Sequence, residues 1–396
     1  MKSLRSPLQI ARWLIAADMV ALLFSPPLTN LVELALYLVM LASGELRARF
    51  MRATRQPMVL GALLFLAVVT VGLAYSIGSW DDSFGMWWAW RKLLLLPIAV
   101  ALFDDPAWKR RLGLILVSVA TLCALASYAG ILLHVTYYLY DPGVVIRNHA
   151  TQGMIFSVAA FTAVLLMKAG SPSRAQRLLL AAAALLLIAN AVFVTTGRSG
   201  YLVAAVLTVA LALGWLEGSR TSMLKRVGIA SGALVLALVV LASSPVVRQG
   251  VLKGIHETQR VLHHSEAITS MSERVVYQRN TLKLIEARPL FGYGTGAFTE
   301  AYRRLVAGRT GVDGLVAHDP HDQFLNTATE NGLFGLAVFI WFLAAAFRQR
   351  PSQPYRLLGL GVLAAWCATS LFSSHFSTFS EGRFIALWMG AFLARE

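Results

Sequence analysis

Residues 245–324, PVVRQGVLKGIHETQRVLHHSEAITSMSERVVYQRNTLKLIEARPLFGYGTGAFTEAYRRLVAGRTGVDGLVAHDPHDQF, form the one long polar run of this 396-residue chain. The run holds 10 of the 35 Lys and Arg residues and five of the eight His. On both sides of it the sequence is a succession of apolar segments of bilayer length. With 57% apolar residues, 14% charged residues and a mean hydropathy of +0.63, the chain falls in the membrane class. The fold class expected is therefore an all-α polytopic membrane protein with one large, partly helical loop.

At about 17 to 22 apolar residues per crossing, the apolar segments number twelve: near 8–25, 28–45, 57–76, 85–103, 112–133, 151–168, 178–195, 199–216, 226–243, 331–347, 355–372 and 382–394. The long polar loop then lies between the ninth and tenth. This divides the chain into 1–243 (nine helices), 244–329 (the loop) and 330–396 (three helices). The first segment follows Lys2 and Arg5 and runs into Pro26-Pro27 with no small-residue cleavage site, so it reads as retained rather than as a signal peptide.

Short clusters such as Arg47, Arg49, Arg52 and Arg55 all fall between the same alternate pairs of segments, which places 20 of the 35 cations on one face. By the positive-inside rule that face is cytoplasmic, and both termini lie there. Five cations in short connections or segment ends oppose the rule: Arg91, Lys92, Arg147, Arg198 and Arg383. Snorkelling to outer lipid phosphates accounts for single cases such as Lys92 or Arg383. Five together on the translocated face favour an anionic ligand.

The net charge of +15 does not indicate nucleic acid, because no RNA- or DNA-binding pattern surrounds the cations. Cys123 and Cys367 lie in apolar segments and offer neither a disulfide framework nor zinc spacing. Asp18 and Glu33 are isolated intramembrane acids, not the relay a proton-coupled carrier uses, and no inverted repeat is visible.

Within the polar run, Ser270-x-x-Glu273 is a capping box that opens a helix to about Ala287, ended by Pro289, with Arg274 in its first turn. Gly292-Tyr-Gly294-Thr-Gly296 follows without a preceding strand, so a tight turn is favoured over a phosphate cradle. Ala297–Leu305 is a second short helix. Next comes His318-Asp-Pro-His321-Asp-Gln-Phe-Leu325, at the mouth of the tenth segment. A metal site there would draw on His318, Asp319, His321 and Asp322, but two His parted by Pro with no remote ligand cluster argue against one. His321, at the membrane mouth, is the imidazole placed to work as a base.

Three ordered motifs resemble the O-antigen ligase and polymerase superfamily of bacterial envelope glycosyltransferases. They are Thr195-Thr-Gly-Arg198-Ser-Gly-Tyr201; Ser272-Glu-Arg274 with Pro289-Leu-Phe-Gly292-Tyr-Gly294-Thr-Gly296-Ala-Phe298; and His321-Asp-Gln-Phe-Leu325 with Glu330-Asn-Gly332-Leu-Phe-Gly335-Leu336. Arg147-Asn-His149-Ala-Thr-Gln152-Gly153 is similar to the corresponding motif of the ligase branch. Where many relatives have His-Asn, this chain has His321-Asp322. The resemblance implies a GT-C-like enzyme at the periplasmic face of the Gram-negative inner membrane. Such an enzyme transfers glycan from an undecaprenyl-diphosphate-linked O-antigen donor to a lipid A-core acceptor, inverting the anomeric centre without a metal, cofactor or nucleotide sugar.

On this reading Arg198, Arg274 and His321 are the catalytic set, with Arg198 and Arg274 on the donor diphosphate and Arg147 and Arg91 as further diphosphate ligands. Glu330, Asp322 and His318 are candidates for support of the base. An O-antigen polymerase or protein O-oligosaccharyltransferase shares the donor half of such a site. A lipid-linked sugar transporter, from another class, would need cations along a membrane path rather than at one end of it.

Overall fold

The computed structural model describes residues 6–137, 142–216, 221–250, 252, 255 and 270–396. Every regular element among them is helical. In chain order the α-helices are α1 (Pro7–Phe24), α2 (Pro26–Ala42), α3 (Gly44–Ala53), α4 (Pro57–Gly72), α5 (Trp80–Trp90), α6 (Leu95–Leu102), α7 (Pro106–Leu132) and α8 (His149–Leu166). Then come α9 (Arg174–Phe193), α10 (Arg198–Gly214), α11 (Met223–Ser243), α12 (Ser270–Ala287), α13 (Phe298–Val306), α14 (Gln323–Phe347), α15 (Tyr355–Thr369) and α16 (Phe379–Leu393). The protein is an all-α, multi-pass membrane protein.

Local chemistry sets the helix starts. Ser6, Ser25, Ser43, Asp105, Asn148, Ser173 and Ser222 each accept a first-turn N–H with the side chain, and proline occupies the first turn of α1, α2, α4 and α7. The capping box expected at Ser270 falls on a side chain outside the described residues, but the helix it heads runs to Ala287 as expected.

Among the described residues, eight helical segments are long and apolar enough to cross a bilayer, one of them the continuous run Trp80–Leu102. The segment expected at 28–45 instead bends by 100° between α2 and α3, because Ser43 ends one helix and caps the next. Counted as one span, that pair makes a ninth. α10 and α15 are apolar but shorter, at 17 and 15 residues. α16 has 15 residues and buries nearly all of them, so it is a core helix with Arg383 inside it. The tenth apolar segment starts earlier than 331, since α14 begins at Gln323 and continues through a break at Gly332 (φ 68°, ψ −177°). The boundary expected at 330 thus falls inside α14.

α8 is the central helix, 83% buried over its spanning window, whereas α11 is 11% buried and peripheral. α8 packs on α7, α9 and α10; α10 packs in turn on α11 and α15; α4 packs on α14 and α6 on α16. The loop helices have a small core of their own, with Leu284 from α12 packed on Phe298, Ala301, Tyr302 and Val306 from α13. Asn280 completes it by donating to the Tyr302 hydroxyl (2.9 Å).

Candidate active site

The site begins with the packing of two short motifs. The link from α9 to α10 is drawn against the start of α8 at two glycines. A Cβ on Gly200 would lie 2.8 Å from Gly153 Cα, and Gly197 is tighter still against Ala150. The Thr196 N–H donates to His149 Nδ1 (3.2 Å), fixing the link just before Arg198. On the α8 side, buried Gln152 gathers the preceding loop, accepting from the N–H of Val145 (2.7 Å) and Ile146 (3.1 Å) and donating to the Gly143 carbonyl (2.9 Å). The motifs 147–153 and 195–201 are therefore one structural unit. It sets Arg198 at the first position of α10, exposed at the helix mouth.

The glycine-rich turn is a clamp between elements and not a ligand loop. Thr295 N–H donates to the Gly72 carbonyl (3.1 Å) and Thr295 Oγ1 to that of Val69 (2.7 Å), tying the turn to α4. Tyr293 N–H and Gly294 N–H donate to the carbonyls of Thr329 (3.0 Å) and Glu330 (2.8 Å), which the break at Gly332 leaves without helical partners. Glu330 is buried and accepts from the backbone N–H of Gly296 and Phe298. Its carboxylate is thereby committed to the clamp.

Asp322 is likewise committed, as the N-cap of α14, accepting from Phe324 N–H (2.8 Å) and Leu325 N–H (3.0 Å). Asn and Asp are about equally good in that role. Burial raises the Asp322 carboxyl above the usual range against these two N–H donors. The acids that face His321 are Asp319 and Glu273. Asp319 Oδ1 accepts the His321 N–H (2.5 Å) and Ser374 Oγ (3.0 Å). His318 is exposed and 3.4 Å from Thr299 Oγ1, outside the cavity wall.

His321 adopts a left-handed backbone (φ 57°) and stacks on Tyr277 of α12 at 6.4 Å. Burial lowers its basicity first, and Arg274 lowers it further; Asp319 and Glu273 oppose them. The balance holds the imidazole below its ordinary value, which favours its uncharged form.

Arg198, Arg274 and His321 converge on one cavity of about 560 Å³, within the range of small-molecule sites. The same wall carries Asn148, Ser199, His375 and Glu381. Arg147 (φ 45°) stands beside the wall, its guanidinium 5.4 Å from the Phe379 ring. Arg91 does not reach the cavity. It donates to Asn30 Oδ1 (2.7 Å), pairs with Glu33 (3.5 Å) and covers the Trp88 ring at 4.3 Å.

The five cations set against the topological rule therefore divide. Arg383 is buried against Glu33 (2.5 Å), and Lys92 donates to the carbonyls of Ser377 (2.5 Å) and Thr378 (2.6 Å). Arg91, Lys92 and Arg383 hold the frame; Arg198 and Arg147 stand at or beside the cavity. Among the described residues no group of three or more His, Cys, Asp or Glu could hold a metal ion.

Sequence reasoning passed over His375, Glu381, Ser199 and Asn148. The available signal was Ser373-Ser-His375-Phe-Ser-Thr378, a run of hydroxyls around one imidazole between two apolar segments.

No curated protein matches the chain. Residues 182–340, which carry Arg198, Arg274, His321 and the glycine-rich turn, match the family model described as O-antigen ligase.

Proposed function

We propose that this protein is an O-antigen ligase that transfers glycan from undecaprenyl diphosphate to a hydroxyl of the lipid A-core oligosaccharide, at the periplasmic face of the inner membrane with both termini cytoplasmic. The observation that carries the reading is the convergence of Arg198, Arg274 and His321, from three distant stretches, on one cavity at the helix mouths. A lipid-linked donor presents its diphosphate at headgroup level, and two guanidiniums suit it because each planar fork binds phosphate oxygens bidentately and stays charged. Arg147, one residue before the cavity-lining Asn148, is proposed as a further ligand of the diphosphate.

His321, neutral at working pH, takes the proton of the acceptor hydroxyl as that oxygen attacks the anomeric carbon from the side opposite the diphosphate. The bond from that carbon to the phosphate oxygen breaks, and its electron pair stays on the diphosphate, where Arg198 and Arg274 stabilise the added charge. The products are the inverted glycoside and undecaprenyl diphosphate, and His321 returns its proton to solvent. No step calls for a metal.

The similarity of 147–153 to the ligase branch favours lipid A-core over a second lipid-linked glycan as acceptor. The test is transfer by purified, detergent-solubilised protein given undecaprenyl-diphosphate glycan with and without lipid A-core, in EDTA. Glycan on lipid A-core supports the ligase. Longer glycan on the carrier without added acceptor would replace it with a polymerase, and transfer to peptide alone with a protein O-oligosaccharyltransferase. No product with folded protein would point to transport.

A further inference from the structure

The strap between α15 and α16, residues 370–378, is built with more care than a connection requires. Ser370 accepts from Gln323 N–H through its carbonyl (2.8 Å), and Ser377 N–H donates to Gln323 Oε1 (3.1 Å). Ser374 Oγ donates to Asp319, and Phe376 packs edge-on against Phe339 at 5.3 Å. Lys92 draws in the last two carbonyls of the strap. All of this fixes His375, which is 6% exposed, with Nε2 3.3 Å from Ser199 Oγ.

The ring's hydrogen bonding selects its tautomer. Nδ1 is buried and has no partner among the described residues. A proton on Nδ1 would make an orphaned buried N–H, which is rarer in proteins than an unused acceptor. Placing the proton on Nε2 lets that nitrogen donate to Ser199 Oγ. The two acids facing the ring are occupied elsewhere: Glu381 accepts from Thr151 Oγ1, and Asp319 from His321 N–H and Ser374 Oγ. With one lone pair of Ser199 engaged by His375, its own O–H can rotate to donate to a ligand in the cavity it lines. Ser199 stands in the first turn of α10, next to Arg198. Helix N-terminus, guanidinium and a donating hydroxyl together favour an anionic oxygen.

We propose that Ser199 is a ligand of the donor's diphosphate and that His375 is the positioning residue that turns its hydroxyl toward it. This rests on the ligase reading only in naming the diphosphate.

The test is binding of undecaprenyl diphosphate, which carries no glycan and so cannot turn over, to the full-length detergent-solubilised protein and its Ser199→Ala, His375→Ala, His375→Gln and double-alanine variants. A hydrogen bond to a charged group sets the expected loss at roughly ten- to hundredfold for each single alanine. The double variant is expected to bind no more weakly than Ser199→Ala alone. His375→Gln, whose amide N–H replaces Nε2–H, should remain within a few-fold of wild type. In transfer assays the apparent KM for donor should rise in Ser199→Ala while the KM for acceptor stays unchanged. Wild-type binding by Ser199→Ala, or a further loss on adding His375→Ala to it, would overturn the inference alone. Failure of the folded wild-type protein to bind undecaprenyl diphosphate would overturn the donor reading with it.

Discussion

A Cβ added to Gly197 would fall 2.4 Å from the Cα of Ala150, so the turn that carries Arg198 meets the start of α8 backbone to backbone. Gly197→Ala must push the link outward and take Arg198 with it. Overpacking of this kind costs about 1–3 kcal/mol, while the catalytic loss should be larger, since an arginine displaced by ~1 Å can lower transfer about a hundredfold. Thermal unfolding beside a transfer assay separates the two. Full activity in a folded Gly197→Ala variant would mean that Arg198 need not be held where the structure has it.

Asp322 and Glu330 both sit near the imidazole in sequence, and the structure gives each another task. Asp322→Asn keeps the helix cap and should retain near-normal transfer. Asp322→Ala loses the cap at about 1 kcal/mol and, because the cap follows His321 directly, should reduce transfer as well. Inactivity of the Asn variant with its fold intact would return Asp322 to the chemistry.

For pH, the direction is set by burial and Arg274, which hold His321 below its ordinary value of about 6.5. The neutral base is fully present above that value and is lost as pH falls through the lower folded one. The acid limb of kcat/KM should therefore lie below about pH 6.5. Over the same window the unfolded chain binds more protons at this site, so its contribution to stability also declines on acidification. Arg274→Ala removes a cation that disfavours protonation and should move the limb of the residual activity upward. An unmoved limb would show that another group sets it.

Arg383 and Glu33 are both almost fully buried, and Arg91 adds a longer contact to the same carboxylate. Removing Arg383 strands Glu33, at about 3–5 kcal/mol, so Arg383→Ala should express poorly or melt early. Arg91→Ala, whose pair with Glu33 is longer and whose side chain is partly exposed, should do so less and leave donor binding unchanged. A specific loss of undecaprenyl diphosphate binding in a stable Arg91→Ala protein would restore Arg91 to the ligand set.

Much of this architecture was written in local pattern. The helix from Ser270 to Ala287 was legible because an apolar period and Pro289 bound it. Arg198 and Arg147 stood out as cations where topology disfavours them, and His321 as an imidazole at a membrane mouth. The sorting of Arg91, Lys92 and Arg383 was not legible, because each partner lies in a remote element: Glu33 in α2 and the carbonyls of 377 and 378. The bend at Ser43-Gly44 and the break at Gly332 interrupt helices that apolar pattern alone reads as continuous or starting elsewhere. His375 was invisible for a related reason. Its position comes from Gln323, Asp319 and Lys92, and none of these shares a spacing with it.

The most direct test of the central claim is the rate of glycan transfer to lipid A-core by the purified protein with Arg198→Lys, read beside Arg198→Ala, Arg274→Ala and His321→Ala. Lysine keeps the charge but loses the planar fork, so the account predicts that Arg198→Lys loses most of the transfer, at roughly the tenfold or more expected for one charge-assisted hydrogen bond. The three alanine variants should be more severely impaired. Wild-type transfer by Arg198→Lys would remove bidentate diphosphate binding from the account, and wild-type transfer by the Arg198→Ala and His321→Ala proteins would contradict the site itself.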